Sequence, residues 1–503
     1  MTMLHFIQRP FRSAACFTPT AMAVALLLAG CTVGPDYHRP EVSTPTAYHE
    51  LPGWTQAAPD AAGPKGDWWT SFHDPLLDKL EPLVSVSNQT VQQDYYTYQE
   101  AVAEVLEARS GLFPTIGATG SGTRSRSANV LGSGASVRNE GVLEGDVSWA
   151  PDLWGQVRRT VEERKAGAQS SEATLANATL SEQVALATAV INLRISDANL
   201  DLLEKTVKAY QEFLRVVGDQ DHAGTVPPSD VITARTQLES AQSNLIALGV
   251  SRAKYAHAIA VLVGRNPEDL DIERSTALPG LPDVPVNVPS TLLQRRPDIS
   301  AAERQMAEQN AAIGVAVSAY YPVVSLSGLA GFTQSPLSGL LNVGNYVWSL
   351  GASASETIFD GGERSAEVAA AKAAYNAAVA SYRSTVLGAF QNVEDDLASL
   401  RILEQQSRVL DRAVSDAVRG SEIAFNEYQA GTVDYTTVAT ALTTQLGLQE
   451  TALSVQQERL VAAATLFGDL GGGWSDDQLH DPQVVKAGPP AAVDAVPTQS
   501  ATQ

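Results

Sequence analysis

Residues 223–226 read Ala-Gly-Thr-Val, and the same four residues return at positions 430–433, which is 207 residues later. A second pair of landmarks, Gly155 after Asp-Leu-Trp and Gly362 after Phe-Asp-Gly, has the same offset of 207. A third pair, two prolines that each follow an aromatic residue, is 208 residues apart. Three unlike landmarks with one common offset indicate a duplicated unit, because a single four-residue match arises easily by chance.

Long helices are predicted to follow Gly155 and Gly362 in the chain. No proline occurs between Pro151 and Pro227 or between Pro336 and Pro482, and proline is the residue that ends helices. In the first gap, apolar residues recur at alternating spacings of four and three, as in a coiled-coil seam. The seam comprises Leu180, Val184, Ala187, Ile191, Ile195, Ala198 and Leu202. A helix of about 60 residues would be roughly 90 Å long, and a solvated coiled-coil stalk remains an alternative.

Each half also predicts a β-hairpin, at about residues 114–152 and 322–358. Small or apolar residues alternate with polar ones there, and strands of about ten residues suit a tilted bilayer crossing. Aromatic residues lie near the predicted strand ends, as in the aromatic girdle of a membrane barrel. They are Phe113, Trp149, Trp154, Tyr320, Tyr321 and Phe359. A soluble half-buried sheet has the same alternation and stays open as an alternative.

Four strands are too few to close a membrane barrel, and an open sheet edge in lipid leaves backbone groups unpaired. The chain is therefore expected to assemble with copies of itself. A homotrimer would supply twelve strands, and its threefold axis would gather the long helices into a second tube. The expected product is a conduit.

The N-terminus has the pattern of a secretory signal, with Arg9 and Arg12 before a short apolar run and small residues ahead of Cys31. The residues before it, Leu-Ala-Gly, resemble a bacterial lipobox, which implies that Cys31 becomes the lipid-bearing N-terminus. An ordinary signal with a chance cysteine is the alternative. The predicted divisions of the chain are a signal at 1–30, a lipidated extension at 31–66, repeats at 67–275 and 291–474, a linker at 276–290 and a disordered tail at 475–503.

Composition excludes several other functions. The formal net charge of −22 disfavours nucleic-acid binding. Two cysteines and seven scattered histidines provide neither a disulfide framework nor a metal-ligand motif. No sequence signature of a catalytic nucleophile or phosphate loop is present. We therefore expect no catalytic residue, no metal site and no cofactor beyond the covalent lipid on Cys31.

Several stretches carry a resemblance to a known family, the TolC-like outer membrane factors, and within it the OprM/NodT-type lipoprotein branch. They are CTVGPDYHRP from position 31, DWWTSFHDPLLDKL from 67, WAPDLWG from 149, LVGRNP from 262, LLQRRPDISAAER from 292, AYYPVVSLSG from 319, IFDGGER from 358 and LGGGW from 470. The resemblance implies a mixed α/β membrane protein, a trimeric 12-stranded β-barrel continuous with a long periplasmic α-helical barrel. It also implies an outer-membrane efflux duct, partnered by a periplasmic adaptor and an inner-membrane pump of the resistance-nodulation-division type.

The resemblance further assigns the two Gly-Thr-Val turns to periplasmic tips that adaptors contact. The tip residues are Gly224, Thr225, Val226, Gly431, Thr432 and Val433. Asp230 takes the place of an aspartate ring that gates such channels, while Thr440 is the matching residue in the second half and Asp434 lies nearer the turn. Three carboxylates on one axis would repel each other and attract cations. A helix N-cap is the alternative role for Asp230.

Two other functions stay open from the sequence. A type I secretion duct for polypeptides would use the same fold, and the channel sequence does not separate it from a drug-efflux duct. A periplasmic structural coiled-coil lipoprotein without a pore would share the long helices but would lack the membrane strands.

Overall fold

The computed structural model describes residues 32–50 except 43 and 46, then 66–127, 136–282, 292–335 and 338–482. Seven α-helices of 13 or more residues are present in this part of the chain. They are α1 (Pro75–Ser87), α2 (Gln89–Ser110), α3 (Gln156–His222), α4 (Pro228–Leu262), α5 (Pro297–Ser318), α6 (Glu363–Gln429) and α7 (Tyr435–Asp469). Four strands complete it, β1 (Thr115–Ser127), β2 (Ser136–Trp149), β3 (Val323–Gln334) and β4 (Tyr346–Ser355). The signal region and Cys31 lie outside the described residues.

The four strands form one antiparallel sheet in the order β1-β2-β3-β4. The predicted alternation is confirmed by the register, in which Leu143 lies opposite Phe332 and Phe332 lies opposite Tyr346. One face of the sheet is therefore mainly small or apolar, and the other carries chiefly Ser, Thr, Gly, Glu144 and Asp146. Since the sheet is open, β1 and β4 are its two edges.

The helices α3 and α6 both have 67 residues and begin 207 residues apart, at positions 156 and 363. Each is roughly 100 Å long at 1.5 Å per residue. Both begin at a glycine with left-handed backbone, Gly155 with φ 84° and Gly362 with φ 102°, a conformation that residues with a Cβ rarely adopt. An aspartate satisfies free N–H groups at each start: Asp152 accepts from Val157 N at 3.1 Å, and Asp360 accepts from Gly362 N at 2.9 Å.

The helices pack in two sections below the sheet. Near the strands, α3 lies between α2 and α5, and α5 also packs on α6. Toward the tips, α3 lies between α4 and α7, and α7 packs on α6. Thus α6 forms one edge of the helical layer along its whole length, while α2 and α4 share the opposite edge.

The principal core lies around the middle of α3, where α1, α4, α6 and α7 meet. Trp68 stacks on Phe467 with ring centroids 5.5 Å apart, and Leu193 is fully buried nearby. The predicted seam along α3 is too narrow, because buried residues also face α1 and α4, among them the ion pair between Arg194 and Asp74 at 2.9 Å.

The segment after α7 is ordered over its first residues, whereas the sequence predicted a disordered tail from position 475. Asp476–Gln478 forms a short 3₁₀ turn. Beyond it, His480 Nδ1 lies 2.5 Å from Glu172 Oε1, and Lys165 Nζ lies 3.0 Å from Asp481 Oδ1. These pairs hold residues up to 482 against α3, and the remainder of the chain lies outside the described residues.

Candidate functional site

The two tips that join α3 to α4 and α6 to α7 have the same backbone geometry. Gly224 and Gly431 adopt left-handed φ values of 74° and 71°. Thr225 N donates to Gln220 O at 2.9 Å, and Thr432 N donates to Glu427 O at 3.0 Å. This bond across six residues is the Schellman end of a helix. Each threonine hydroxyl also donates to that carbonyl, at 2.9 Å in both tips.

The tip residues differ in exposure in a regular way. Gly224, Thr225, Gly431 and Thr432 are exposed. Val226 and Val433 instead pack partly against an apolar cluster behind the turns. Each tip therefore exposes a Gly-Thr turn to solvent, and the valine that follows packs against the apolar cluster and holds the turn in place.

The carboxylates near the tips have different environments. Asp434 is the N-cap of α7: its Oδ1 accepts from Thr437 N at 3.0 Å and from Thr437 Oγ1 at 2.8 Å. These hydrogen bonds, the side-chain bond first, lower the pKa of Asp434. Asp230 is the third residue of α4 and half-buried, and the N-cap position belongs to Pro227, so the N-cap role considered for Asp230 is wrong.

The structure also corrects the predicted partner of Asp230. The helices α4 and α7 each have 35 residues and begin 207 positions apart, at 228 and 435. The third residue of α7, Thr437, is therefore the counterpart of Asp230. Thr440 lies one turn further along, is exposed, and donates its hydroxyl to Thr436 O at 2.8 Å.

Two tyrosines tie the tips of the halves together, and sequence reasoning missed both. Tyr428 on α6 donates to Gln220 on α3. Tyr435 on α7 donates to Gln237 Oε1 on α4 at 2.8 Å. Burial, followed by the nearby Tyr210, Tyr428 and Asp230, raises the pKa of Tyr435 to about 12. Its hydroxyl thus keeps its proton at physiological pH.

The signal for these ties was weak because each joins residues about 200 positions apart, in different halves. At the offset of 207, tyrosines 428 and 435 correspond to Asp221 and Pro228. The aromatic residues therefore distinguish the second turn from the first.

The predicted aromatic residues gather at the end of the sheet where the strands meet the helices. Trp154 stacks on Tyr321 with centroids 5.1 Å apart and donates from Nε1 to Pro322 O at 2.8 Å. Trp149 donates from Nε1 to Leu112 O at 3.2 Å. The Arg364 guanidinium lies over the Tyr320 ring, 5.2 Å from its centroid. Phe113 and Phe359 are exposed.

The N-terminal residues begin at this aromatic level and run down the outside of the helices. Val33 N donates to Trp154 O at 3.1 Å. Buried Arg159 donates to Val33 O at 3.0 Å and pairs with Asp36 at 2.8 Å. Further down, the backbone N–H of His49 donates to Glu394 at 2.7 Å. The described N-terminal residues thus form a strap from the strand ends to the middle of α6.

An open four-stranded sheet set on helices of about 100 Å is an architecture consistent with a channel that combines a β-barrel with an α-helical barrel. The comparisons agree: the family described as outer membrane efflux protein matches residues 83–265 and 288–472. The chain belongs to this family, so its place is the outer membrane and its function is that of an efflux channel. The resemblance found in the sequence is confirmed.

Relatives and solved structures extend over most of the chain. The probable efflux pump outer membrane protein TtgC of Pseudomonas putida is 31% identical over 463 residues, covering 90% of this chain and 94% of that protein. Nodulation protein T of Rhizobium leguminosarum bv. trifolii is 30% identical over 453 residues, covering 89% and 93%. The structure of the outer-membrane channel OprN is 28% identical, has a TM-score of 0.82 and covers 88% of this chain and 100% of that one.

Proposed function

We propose that three copies of this chain form a closed channel, a twelve-stranded barrel in the outer membrane continuous with a helical tube in the periplasm. The proposal rests on the free edges of the sheet and of the helical layer, which lie on opposite sides of the chain. β1 and β4 are the free edges of the sheet, and α6 is opposite α2 and α4 in the helical layer. A head-to-tail rotation joins edge to opposite edge at every level, and it closes after a fixed number of copies.

The faces of the sheet support a barrel with lipid outside. Ile116, Trp348 and Leu350 lie on the mainly apolar face and are 76%, 66% and 81% exposed in the single chain. Such side chains are stable in contact with lipid. The opposite face, with Ser325 hydrogen-bonded to Ser353 at 2.8 Å, would line a water-filled lumen. Because these side chains are small and polar, selection of the cargo belongs to the pump rather than the duct.

Apolar residues along the helical edges support the same assembly. Helix α4 is the one helix among the described residues that is apolar and long enough to span a membrane by length and composition. It packs along α3, and its far side exposes Ile232, Ile246 and Val250. On the opposite edge, α6 exposes Leu387 and Ile402. In the trimer these two edges cover each other.

The two halves support a duplicated origin for this protomer. Four pairs of helices and strands recur at offsets of 207 or 208, and the family description matches the chain twice. With three copies, the six pairs of long helices would form a tube with approximate sixfold symmetry. Its six tips would face the pump.

We assign the gate and the docking surface to the tips. Three copies of Asp230 near the axis would form a ring of carboxylates that lines and constricts the opening and attracts cations. The exposed Gly-Thr turns are the surface for a periplasmic adaptor. Since TtgC is named as part of an efflux pump, the proposed assembly comprises this channel, an adaptor and an inner-membrane pump of the resistance-nodulation-division type, which together expel small toxic compounds.

A lipid on Cys31 would add an anchor at the membrane boundary. Thr32 lies against Gly155, 2.8 Å from where a Cβ would stand, and Gly155 follows Trp154 of the aromatic level. Thr32, the first described residue, therefore lies at the level of these aromatic residues. Cys31→Ser should abolish labelling of the protein by radioactive palmitate, and continued labelling would exclude the anchor.

Conductance in planar bilayers tests the channel itself. The purified trimer should open rarely, and Asp230→Ala should raise its conductance and lower its preference for cations. Asp230→Glu keeps the charge and is the matched control. A folded trimer that never conducts, even as the Asp230→Ala variant, would refute the proposed channel.

A further inference from the structure

Helices α3 and α5 contact each other within the chain, and we call this contact the inner joint. The residues equivalent to its two sides lie on α6 and α2, at opposite edges of the helical layer, where they do not contact each other. Ser170 Oγ donates to Ala301 O at 3.0 Å, and Arg304 donates to Gln169 Oε1 at 3.3 Å. One turn away, a Cβ on Gly167 would lie 3.5 Å from the Glu308 carboxyl group.

The offsets between the two halves of the chain identify the residues that correspond to those of the inner joint. Helix α6 follows α3 by 207 positions, and α2 precedes α5 by 208, each pair having equal lengths. The residues of the inner joint thus correspond to Ala374, Asn376 and Ala377 on α6 and to Gln93, Tyr96 and Glu100 on α2.

Exposure separates the two sets of residues. Every residue of the inner joint is partly buried, whereas all six corresponding residues are exposed. In one chain α2 and α6 lie on opposite sides of the layer. The six exposed residues are therefore the two unpaired halves of one joint.

We propose that Tyr95 and Tyr96 of one copy pack onto the alanine-rich start of α6, residues 369–380, in the next copy, with Tyr96 beside Asn376. This outer joint deepens the proposed function, because it rests on the trimer. It also gives a role to the exposed pair Tyr95 and Tyr96. Tyr98, in contrast, packs with Val102 and Val105 of α2 against Ala168 of its own α3.

Size and shape support this partner. Tyr95 and Tyr96 are 44% and 60% exposed, and their rings already hold an edge-to-face pair with centroids 5.4 Å apart. The facing stretch, AAAKAAYNAAVA, has mostly methyl side chains, so it leaves room for two rings beside the backbone. Burying tyrosine rings against methyl groups is favourable, and the amide of Asn376 offers the Tyr96 hydroxyl a hydrogen-bond partner.

A pair of cysteines tests the register of the outer joint. Gln93→Cys with Ala377→Cys replaces the counterparts of Ala301 and Ser170, which form the shorter of the two hydrogen bonds in the inner joint. The full-length protein in outer membranes is oxidised with copper phenanthroline and run on a non-reducing gel. Most of the protein should become covalent dimers and trimers, while each single variant should not, which also controls for Cys31.

A displaced pair and a tyrosine series complete the test. Gln93→Cys with Arg383→Cys moves one thiol about 9 Å along α6, so its cross-linking should fall at least tenfold. Independently of any cysteine, Tyr96→Ala should lower the temperature at which trimers dissociate in detergent, and Tyr96→Phe should retain most of the resistance.

The outcomes separate this inference from the proposed function. Native mass spectrometry reports whether a trimer exists. A trimer with no cross-link between positions 93 and 377, with equal cross-linking of the displaced pair, or with unchanged resistance after Tyr96→Ala would overturn the outer joint and leave the channel intact. A monomer would overturn both.

Discussion

The helices α3 and α6 have the same length and equivalent positions in the two halves, yet they differ in how much of their surface is covered. Helix α3 buries 22 residues, and α6 buries nine. The difference follows from position, because α3 lies between α2, α4, α5 and α7 while α6 forms an edge. Equivalent helices therefore differ in burial according to how many helices of the same chain cover them.

Charged residues show the contrast most clearly. In the middle of α3, fully buried Asp197 pairs with Arg252 at 2.6 Å and accepts from Ser275 N at 3.0 Å. Its counterpart on α6, Glu404, pairs with Arg408 at the surface. The same helical position is thus a buried polar junction in one half and a solvated ion pair in the other.

The largest predicted effect comes from removing the buried carboxylate. Asp197→Ala removes the carboxylate that pairs with Arg252 and accepts from Ser275 N, and leaves Arg252 its bond to Ile272 O. Breaking a buried pair from one side costs at most about 3–5 kcal/mol. We expect a large fall in the midpoint of thermal unfolding, measured by circular dichroism on the purified protein in detergent. The yield of folded protein should fall with it.

The matched control for this prediction lies at the same position of the other half. Glu404→Ala should change stability by less than about 1 kcal/mol, because exposed pairs contribute little. Equal midpoints for the Asp197→Ala and Glu404→Ala variants would show that burial does not distinguish the two helices.

A second prediction concerns α1, which covers part of α3 and buries Glu81 completely. Among the described residues, neither carboxyl oxygen of Glu81 has a hydrogen-bond partner, and burial raises the pKa of Glu81 to about 9. The folded protein therefore keeps the Glu81 proton between the unfolded pKa near 4.3 and about pH 9, where the unfolded chain releases it. Stability contributed by this group is present in acid and falls as pH rises through that window.

Replacing Glu81 by leucine should remove this pH dependence. Glu81→Leu should exceed the parent by roughly 1–3 kcal/mol near pH 4, since a buried polar group without a partner is unfavourable. It should exceed the parent by more at pH 8, because folding of the parent then also requires uptake of a proton. Thermal midpoints from pH 4 to 9 measure the difference. A parallel pair of curves would mean that Glu81 is ionised or solvated in the folded state.

The sequence predicted the fold well because its main signals are periodic. Alternation over β3 and β4, the absence of proline across α3, and the offset of 207 each specify an element without knowledge of its neighbours. The buried ion pair of Asp197 and the lone carboxyl of Glu81 gave no such signal, since a charged residue in a helix ordinarily indicates a solvated face. Their positions depend on which helices cover them.

At the tips the sequence predicted the turns and missed the ties. Gly224 and Gly431 carry a local requirement for left-handed backbone, so a motif reveals them. The partner of a tyrosine is set by the packing of two distant hairpins. The first turn has Asp221 and Pro228 where the second has Tyr428 and Tyr435. The second half therefore provides the hydrogen-bond donors of both ties, and the first half provides the acceptors.

The smallest predicted effect tests that asymmetry. Tyr435→Phe removes the hydrogen bond to Gln237 and keeps the ring in its apolar cluster, so the loss of stability should be about 1 kcal/mol. The ends of α4 and α7 should separate more often, which we expect to appear as more frequent channel openings in planar bilayers. Because the pKa of Tyr435 is about 12, the parent should show no change in opening from this hydroxyl between pH 6 and 9. In a double-mutant cycle with Gln237→Ala, the second substitution should add little to the first, and full additivity of the two effects on opening frequency would show that the tie does not hold the tips together.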